Sequence, residues 1–134
     1  CRSSMIVPFD DPCSARSYIN SVPYDEVIEE WIPLCTDGIE VLKWVDDGEI
    51  KGAFVAVRIN KHVVSVHAEI HEKSRGRDAV RAGKEGISWV FDKMEPKTII
   101  SRPSYRSGEI YSVLVGLNRI RDGVYCVERT KWEN

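Results

Sequence analysis

From Ile39 onward the apolar residues fall into a period of two: Ile39, Val41 and then Trp44 and Val45 lead into Asp46-Asp47-Gly48. Side chains of an extended chain alternate between its two faces, so this spacing belongs to a strand, and the Asp-Gly that follows suits a tight hairpin turn. Ile50 to Ile59 then reads as a second strand, Asn60-Lys61 as the next tight turn, and His62 to His71 as a third strand. Three sequential strands joined in this way form an antiparallel meander. At Arg75 the period changes. After Arg75-Gly76-Arg77-Asp78, the residues Val80, Gly83, Ile87, Val90 and Phe91 share one helical face until Glu95-Pro96 stops the run.

Further on, Thr98 to Arg102 is a short strand, Pro103 to Ser107 a loop, and Gly108 to Val115 a helix with Gly116 at its C-terminal cap. Two last strands flank Asp122-Gly123. Upstream, Asp10-Asp11-Pro12 supplies an N-cap and a first-turn proline, which makes Pro12 to Asn20 a short helix. Val27, Ile28, Trp31 and Ile32, set against Glu26, Glu29 and Glu30, make an amphipathic helix from Tyr24 to Pro33 with a solvated acidic face. The order is helix, helix, three antiparallel strands, long helix, strand, helix, two strands. It predicts an α+β fold with one β-α-β crossover. A chain of 134 residues, 43% of them hydrophobic, is one domain over residues 1–134 and buries about two-thirds of its unfolded surface without a disulfide or metal staple.

No apolar run approaches the ~20 residues that span a bilayer, and Cys1 to Pro8 lacks the pattern of a signal peptide, so the expectation is a cytoplasmic chain with no transmembrane segment. Met5 reads as a natural start and Cys1 to Ser4 as a remnant of processing. Cys1, Cys13, Cys35 and Cys126 are scattered, with no C-x-x-C pair, so buried or idle thiols are expected rather than a disulfide framework or a zinc site. The formal net charge is −2, yet up to Glu40 eight acidic residues face only Arg2 and Arg16, which leaves the rest of the chain at about +4. That balance is too mild for a nucleic-acid binder and suits a local anion site.

Ile70-His71-Glu72-Lys73-Ser74-Arg75-Gly76-Arg77-Asp78-Ala79-Val80 is where such a site would form: a strand feeds a helix through a small, basic turn. The first-turn amides and the positive end of the helix dipole point at an anion, and Arg75, Arg77 and Arg81 add charge-assisted contacts. The plainer alternative is a solvated loop with Asp78 capping the helix.

A strand, an Arg-Gly turn and a long helix, then a strand, a short helix ending in Val115-Gly116-Leu117 and a terminal hairpin, resemble the GNAT superfamily of acetyl-CoA-dependent N-acetyltransferases over roughly Ile39 to Trp132. The resemblance implies a mixed, GNAT-like sheet with helices on both faces and a pyrophosphate held at Ile70 and at Arg75, Gly76, Arg77, Asp78, Ala79 and Val80. Against the family form Arg-Gly-Lys-Gly-Ile-Gly, Arg75 and Gly76 agree, Arg77 stands for Lys, and Asp78 and Val80 occupy the two later glycine positions. Asp78 brings a side chain and a negative charge toward a diphosphate, which weakens binding, unless it turns outward as an N-cap and the amides of Gly76, Arg77 and Ala79 keep facing the ligand.

Counting back from Gly116, the family's general-acid Tyr falls on Ser112 and its cofactor-contacting Asn on Tyr105. Tyr111, one position away, is the candidate acid if the register differs, and otherwise a packing ring. On the third strand His67, Glu69 and His71 share one face. In the resemblance that strand borders the acceptor cleft, which makes Glu69, with His67, the candidate base for an ammonium; a solvated polar strip is the alternative. A metal site there is disfavoured, because three Cβ atoms along one strand span too far. There is no G-x-S-x-G elbow and no Walker loop. Tryptophans are explained by burial, with Trp132 near the chain's end as a candidate partner contact.

Two functions compete. The altered glycines and missing Tyr favour a GNAT-like scaffold with an eroded cofactor groove, similar to small GNAT-like proteins of tailed phages in head assembly or the virion, located in the host cytoplasm or the virion and holding protein partners. The alternative is an acetyl-CoA-dependent N-acetyltransferase with an amine acceptor. An enzyme needs an open cleft between the strand bearing Glu69 and Thr98 to Arg102, whereas an assembly protein tolerates a filled one.

Overall fold

Asp47 and Gly48 close the first hairpin at positive φ, 51° and 81°, the backbone that follows the natural twist of the strands on either side. Those strands are β2 (Ile39–Asp46) and β3 (Glu49–Arg58), antiparallel with Leu42 opposite Phe54. At the next turn the Asn60 side chain organises the backbone: its Oδ1 accepts from the N–H groups of His62 and Val63 at 2.8 and 3.0 Å. β4 (Val63–Ile70) then returns along β3, with His67 opposite Val55 and Glu69 opposite Ala53. The computed structural model describes residues 4–8, 38–70, 72–103 and 105–133. The two helices expected before Pro33, and His71, lie outside them.

β1 (Ser4–Pro8) is absent from the sequence reading. It pairs antiparallel with β2, Ile6 opposite Trp44, and the Trp44 indole N–H donates to Ser4 Oγ at 3.0 Å from 40 residues away. Five residues ending in proline carry too little periodicity to be read alone; the strand forms because β2 offers it an edge.

After a 3-10 turn (Glu72–Ser74) come α1 (Arg77–Met94), β5 (Thr98–Ser101), α2 (Arg106–Leu114), β6 (Asn118–Arg121), β7 (Val124–Glu128) and a last helical turn, α3 (Arg129–Trp132). The seven strands make one mixed sheet in the order β1-β2-β3-β4-β5-β7-β6. Among the described pairs β4 with β5 is parallel and the others are antiparallel, which is the α+β arrangement with a β-α-β crossover that the sequence predicts.

α1 buries a face that changes size along its length: Ala79, Ala82, Gly83 and Gly86 first, then Ile87, Val90, Phe91 and Met94. The large half packs with Ala56, Val64, Ile99 and Val127, and each large apolar side chain buried there contributes about 1.5–3 kcal/mol. The small half lies toward Leu42, Trp44, Phe54 and Ile70. Arginines tie down the far end of the helix, Arg58 donating to the Met94 carbonyl and Arg129 to those of Phe91 and Pro96 at 2.6 and 3.1 Å. α2 ends as expected at Gly116: the N–H of Leu117 bonds to Ser112 O at 3.0 Å and that of Gly116 to Val113 O at 3.1 Å, the paired closure of a Schellman motif.

Trp132, the candidate partner contact, is anchored within the chain. Its indole N–H donates to Ser88 Oγ at 3.1 Å and its ring sits 6.0 Å from that of Phe91.

Candidate functional site

The parallel ladder between β4 and β5 covers only Val63 to Ser65 against Thr98 to Ile100. Beyond it β4 and β5 part, and Val66 to Ile70, still paired with β3 on one side, border a cleft of about 950 Å³ on the other instead of β5. Its second wall is α1, whose Ala79, Gly83 and Gly86 leave room that larger residues would fill. Among the described residues, Ser101, Pro103 and the inner side of α2 also line it. A helix with small residues beside a split and large residues beyond it is therefore what makes a cavity here instead of a closed core.

The mouth of the cleft is the N-terminus of α1. Gly76 is the N-cap, at φ 141° and ψ −152°, a backbone open to glycine and strained for any residue with a Cβ. Val80 N–H makes the first helical bond, to Gly76 O at 3.1 Å. Helix geometry gives the N–H groups of Arg77 and Ala79 no partner inside the helix. Arg75, Gly76, Arg77, Ala79 and Val80 all line the cleft. The Arg75 guanidinium is anchored by Nε donating to Ile70 O at 3.4 Å, which fixes the exit from β4. Ile70 itself is buried and lines the wall.

Asp78 and Arg81, both expected in the anion set, do not line the cleft; one turn into the helix, the exposed Arg81 lies beyond the mouth. Nor is Asp78 the N-cap, a role Gly76 takes without any side-chain hydrogen bond. It stands in the first turn with Oδ1 3.9 Å from Arg81 Nη1, where a carboxylate suits the helix dipole. Val80, at the other substituted glycine position, presents its side chain to the cleft wall.

His67 and Glu69 both line the cleft, half-buried on one face of β4, so the split brings the two proton-transfer candidates into the same cavity as the anion nest. Tyr111 is also on the wall, but its hydroxyl donates to the Ala79 carbonyl at 2.6 Å and burial pushes the phenol above its ordinary range. Ser112, the position one residue on, is buried with Oγ donating to Gly108 O at 2.9 Å. Tyr105, at the N-cap of α2, lies exposed on the rim. The sequence reading does not place the wall residues Gly83 and Gly86 at the site; the signal for them is the run of small residues Ala79, Ala82, Gly83 and Gly86 in the first half of one helix. Among the described residues no group of three His, Cys, Asp or Glu side chains could hold a metal ion, and no helix is long and apolar enough to cross a membrane.

Searched by sequence, the chain matches no family model and no curated protein. Its fold does match solved structures. The aminoglycoside acetyltransferase AAC(6')-Ib in complex with coenzyme A superposes with a TM-score of 0.75 at 12% identity, covering 98% of each chain. A spermidine N-acetyltransferase SpeG chimera from Vibrio cholerae and hSSAT gives 0.72 at 11% identity, again over 98% of both chains. The Campylobacter jejuni N-acetyltransferase PseH gives 0.64 at 11% identity, over 94% of this chain and 98% of that one. The chain has the GNAT fold.

Proposed function

We propose that this chain transfers an acetyl group from acetyl-CoA to an amine. The observation that carries the reading is the continuity of one cleft from the Arg75–Val80 turn to Glu69 and His67, through the split between β4 and β5. The residues fit the cofactor: Gly76 at positive φ, the amides of Arg77 and Ala79 and the two arginines at the mouth, Arg75 and Arg77, offer a cradle for a diphosphate, and the small half of α1 leaves space for an extended arm. When bound there, acetyl-CoA supplies an acyl group already activated as a thioester. It also supports the reading that proteins sharing this fold are acetyltransferases, some solved with coenzyme A or acetyl-CoA.

An amine attacks only when it has lost its ammonium proton. Glu69, directly or through water and with His67 beside it on the strand, accepts that proton at the cleft wall. The raised pKa and committed hydroxyl of Tyr111 leave protonation of the departing thiolate to solvent. The assembly role that the sequence ranks first draws no comparable support, since the structural neighbours are acetyltransferases.

The test is a thiol-release assay over a panel of primary amines, with acetyl-CoA binding followed by calorimetry. Glu69→Gln should lower kcat by about 10²–10⁴ and leave acetyl-CoA affinity unchanged. If the folded chain neither binds acetyl-CoA nor releases thiol with any amine, the proposal is wrong.

A further inference from the structure

Tyr111 lies one residue from where the family resemblance sets an acid, and its hydroxyl is turned away from that task. The bond it makes instead has a specific consequence. The carbonyl of Ala79 and the N–H of Val80 belong to one rigid peptide plane. That N–H closes the first turn of α1 on Gly76 O at 3.1 Å, and the Tyr111 hydroxyl grips the other side of the plane at 2.6 Å. The turn that lines the cleft mouth is thus held from both sides, by its own helix and by α2.

The approach is made possible by Gly83, one helical turn beyond Ala79 on the same face. A Cβ there would lie 2.3 Å from the tyrosine oxygen and 2.5 Å from Val115 Cγ1. Tyr111 also packs against both buried clusters, which leaves the ring little freedom to swing out. We infer that Tyr111 is a positioning residue: by fixing the Ala79–Val80 peptide plane it sets the direction of the Gly76, Arg77 and Ala79 amides, and so tunes affinity for the anionic part of the ligand. Burial keeps the phenol protonated, so the donor persists throughout the neutral range.

The inference rests on the coenzyme A reading of the cleft, and two measurements separate their fates. The first needs no ligand: amide hydrogen exchange of Tyr111→Phe, which keeps the ring and removes the hydroxyl, should show Val80 N–H exchanging about fivefold faster or more, in line with one lost hydrogen bond. Unchanged protection at Val80 overturns the inference whatever the cleft binds. The second compares ligands. Tyr111→Phe should weaken coenzyme A about five- to tenfold while acetyl-pantetheine, which has the same arm and no diphosphate, binds as before. Equal losses for both ligands would mean that the residue merely supports the fold and would overturn the positioning role. Failure of the unaltered chain to bind coenzyme A overturns the cofactor reading and this extension of it, with the Val80 result then standing as a structural fact alone.

Discussion

Arg129 meets Phe91 twice: its guanidinium stacks over the ring 5.3 Å from the centroid, and its Nη2 donates to the same residue's carbonyl oxygen at 2.6 Å. Its Nε reaches the Pro96 carbonyl at 3.1 Å, so one side chain satisfies two acceptors around the negative end of α1. Arg129→Ala should destabilise the fold by about 2–3 kcal/mol, because charged hydrogen bonds to partly buried carbonyls are lost together. Arg129→Lys should recover less than half, since an ammonium has no planar fork to reach both oxygens. Urea unfolding checks this; a shift below about 0.5 kcal/mol for the alanine variant would show that water replaces the cap.

Two glycines on the same helix should respond with opposite signs. A Cβ at Gly86 would find Phe54 at 3.7 Å, an ordinary contact, so Gly86→Ala should stabilise by up to about 1 kcal/mol through helix propensity. Gly83→Ala meets the Tyr111 hydroxyl and Val115 and should destabilise by about 1–3 kcal/mol. Thermal melts of the two variants side by side settle the matter, and melting temperatures that move in the same direction would contradict the packing described for Tyr111.

Gly76 tests backbone strain without any clash. Nothing stands within 4 Å of a Cβ built there, yet φ is 141°. Gly76→Ala should therefore lose about 1–3 kcal/mol in urea denaturation from conformation alone. A variant as stable as the parent would mean that the turn relaxes to another backbone.

The fold should also weaken at high pH through Tyr111. Burial raises its pKa in the folded chain, so the stability it contributes is complete below the unfolded tyrosine value of about 10 and is lost progressively as pH climbs beyond it. This single group accounts for a decline of up to about 1.4 kcal/mol per pH unit in that window. Urea midpoints measured from about pH 9 upward should fall less steeply for Tyr111→Phe than for the parent. Parallel slopes would remove Tyr111 from the alkaline transition.

The parts of this fold that were legible in advance are those written in neighbouring residues. Alternation from Ile39 to Ile70, Asp-Gly at 47–48, the helical face from Val80 to Phe91 and the cap at Gly116 each depend on contacts within a turn or a hairpin, and each element formed where its pattern lies. The candidate site was legible to the same degree: Arg75, Gly76 and Arg77 follow a strand and open a helix, and Glu69 and His67 share a strand face.

Other features have no local signature. β1 needs an edge supplied from 40 residues away, Gly76 takes the cap that the sequence alternatively offers to Asp78, and Trp132 meets Ser88 and Phe91 within the chain. The parting of β4 from β5 after Ser65 leaves no mark in either strand's pattern. By itself the sequence determined which segments are strands and helices and which faces are apolar, because dihedral preference and periodicity act over a few residues. Only the tertiary structure decided that β4 and β5 separate, that a cleft opens along the small half of α1, and that the Tyr111 hydroxyl turns to Ala79, because strand register and side-chain direction follow from packing between elements far apart in the chain.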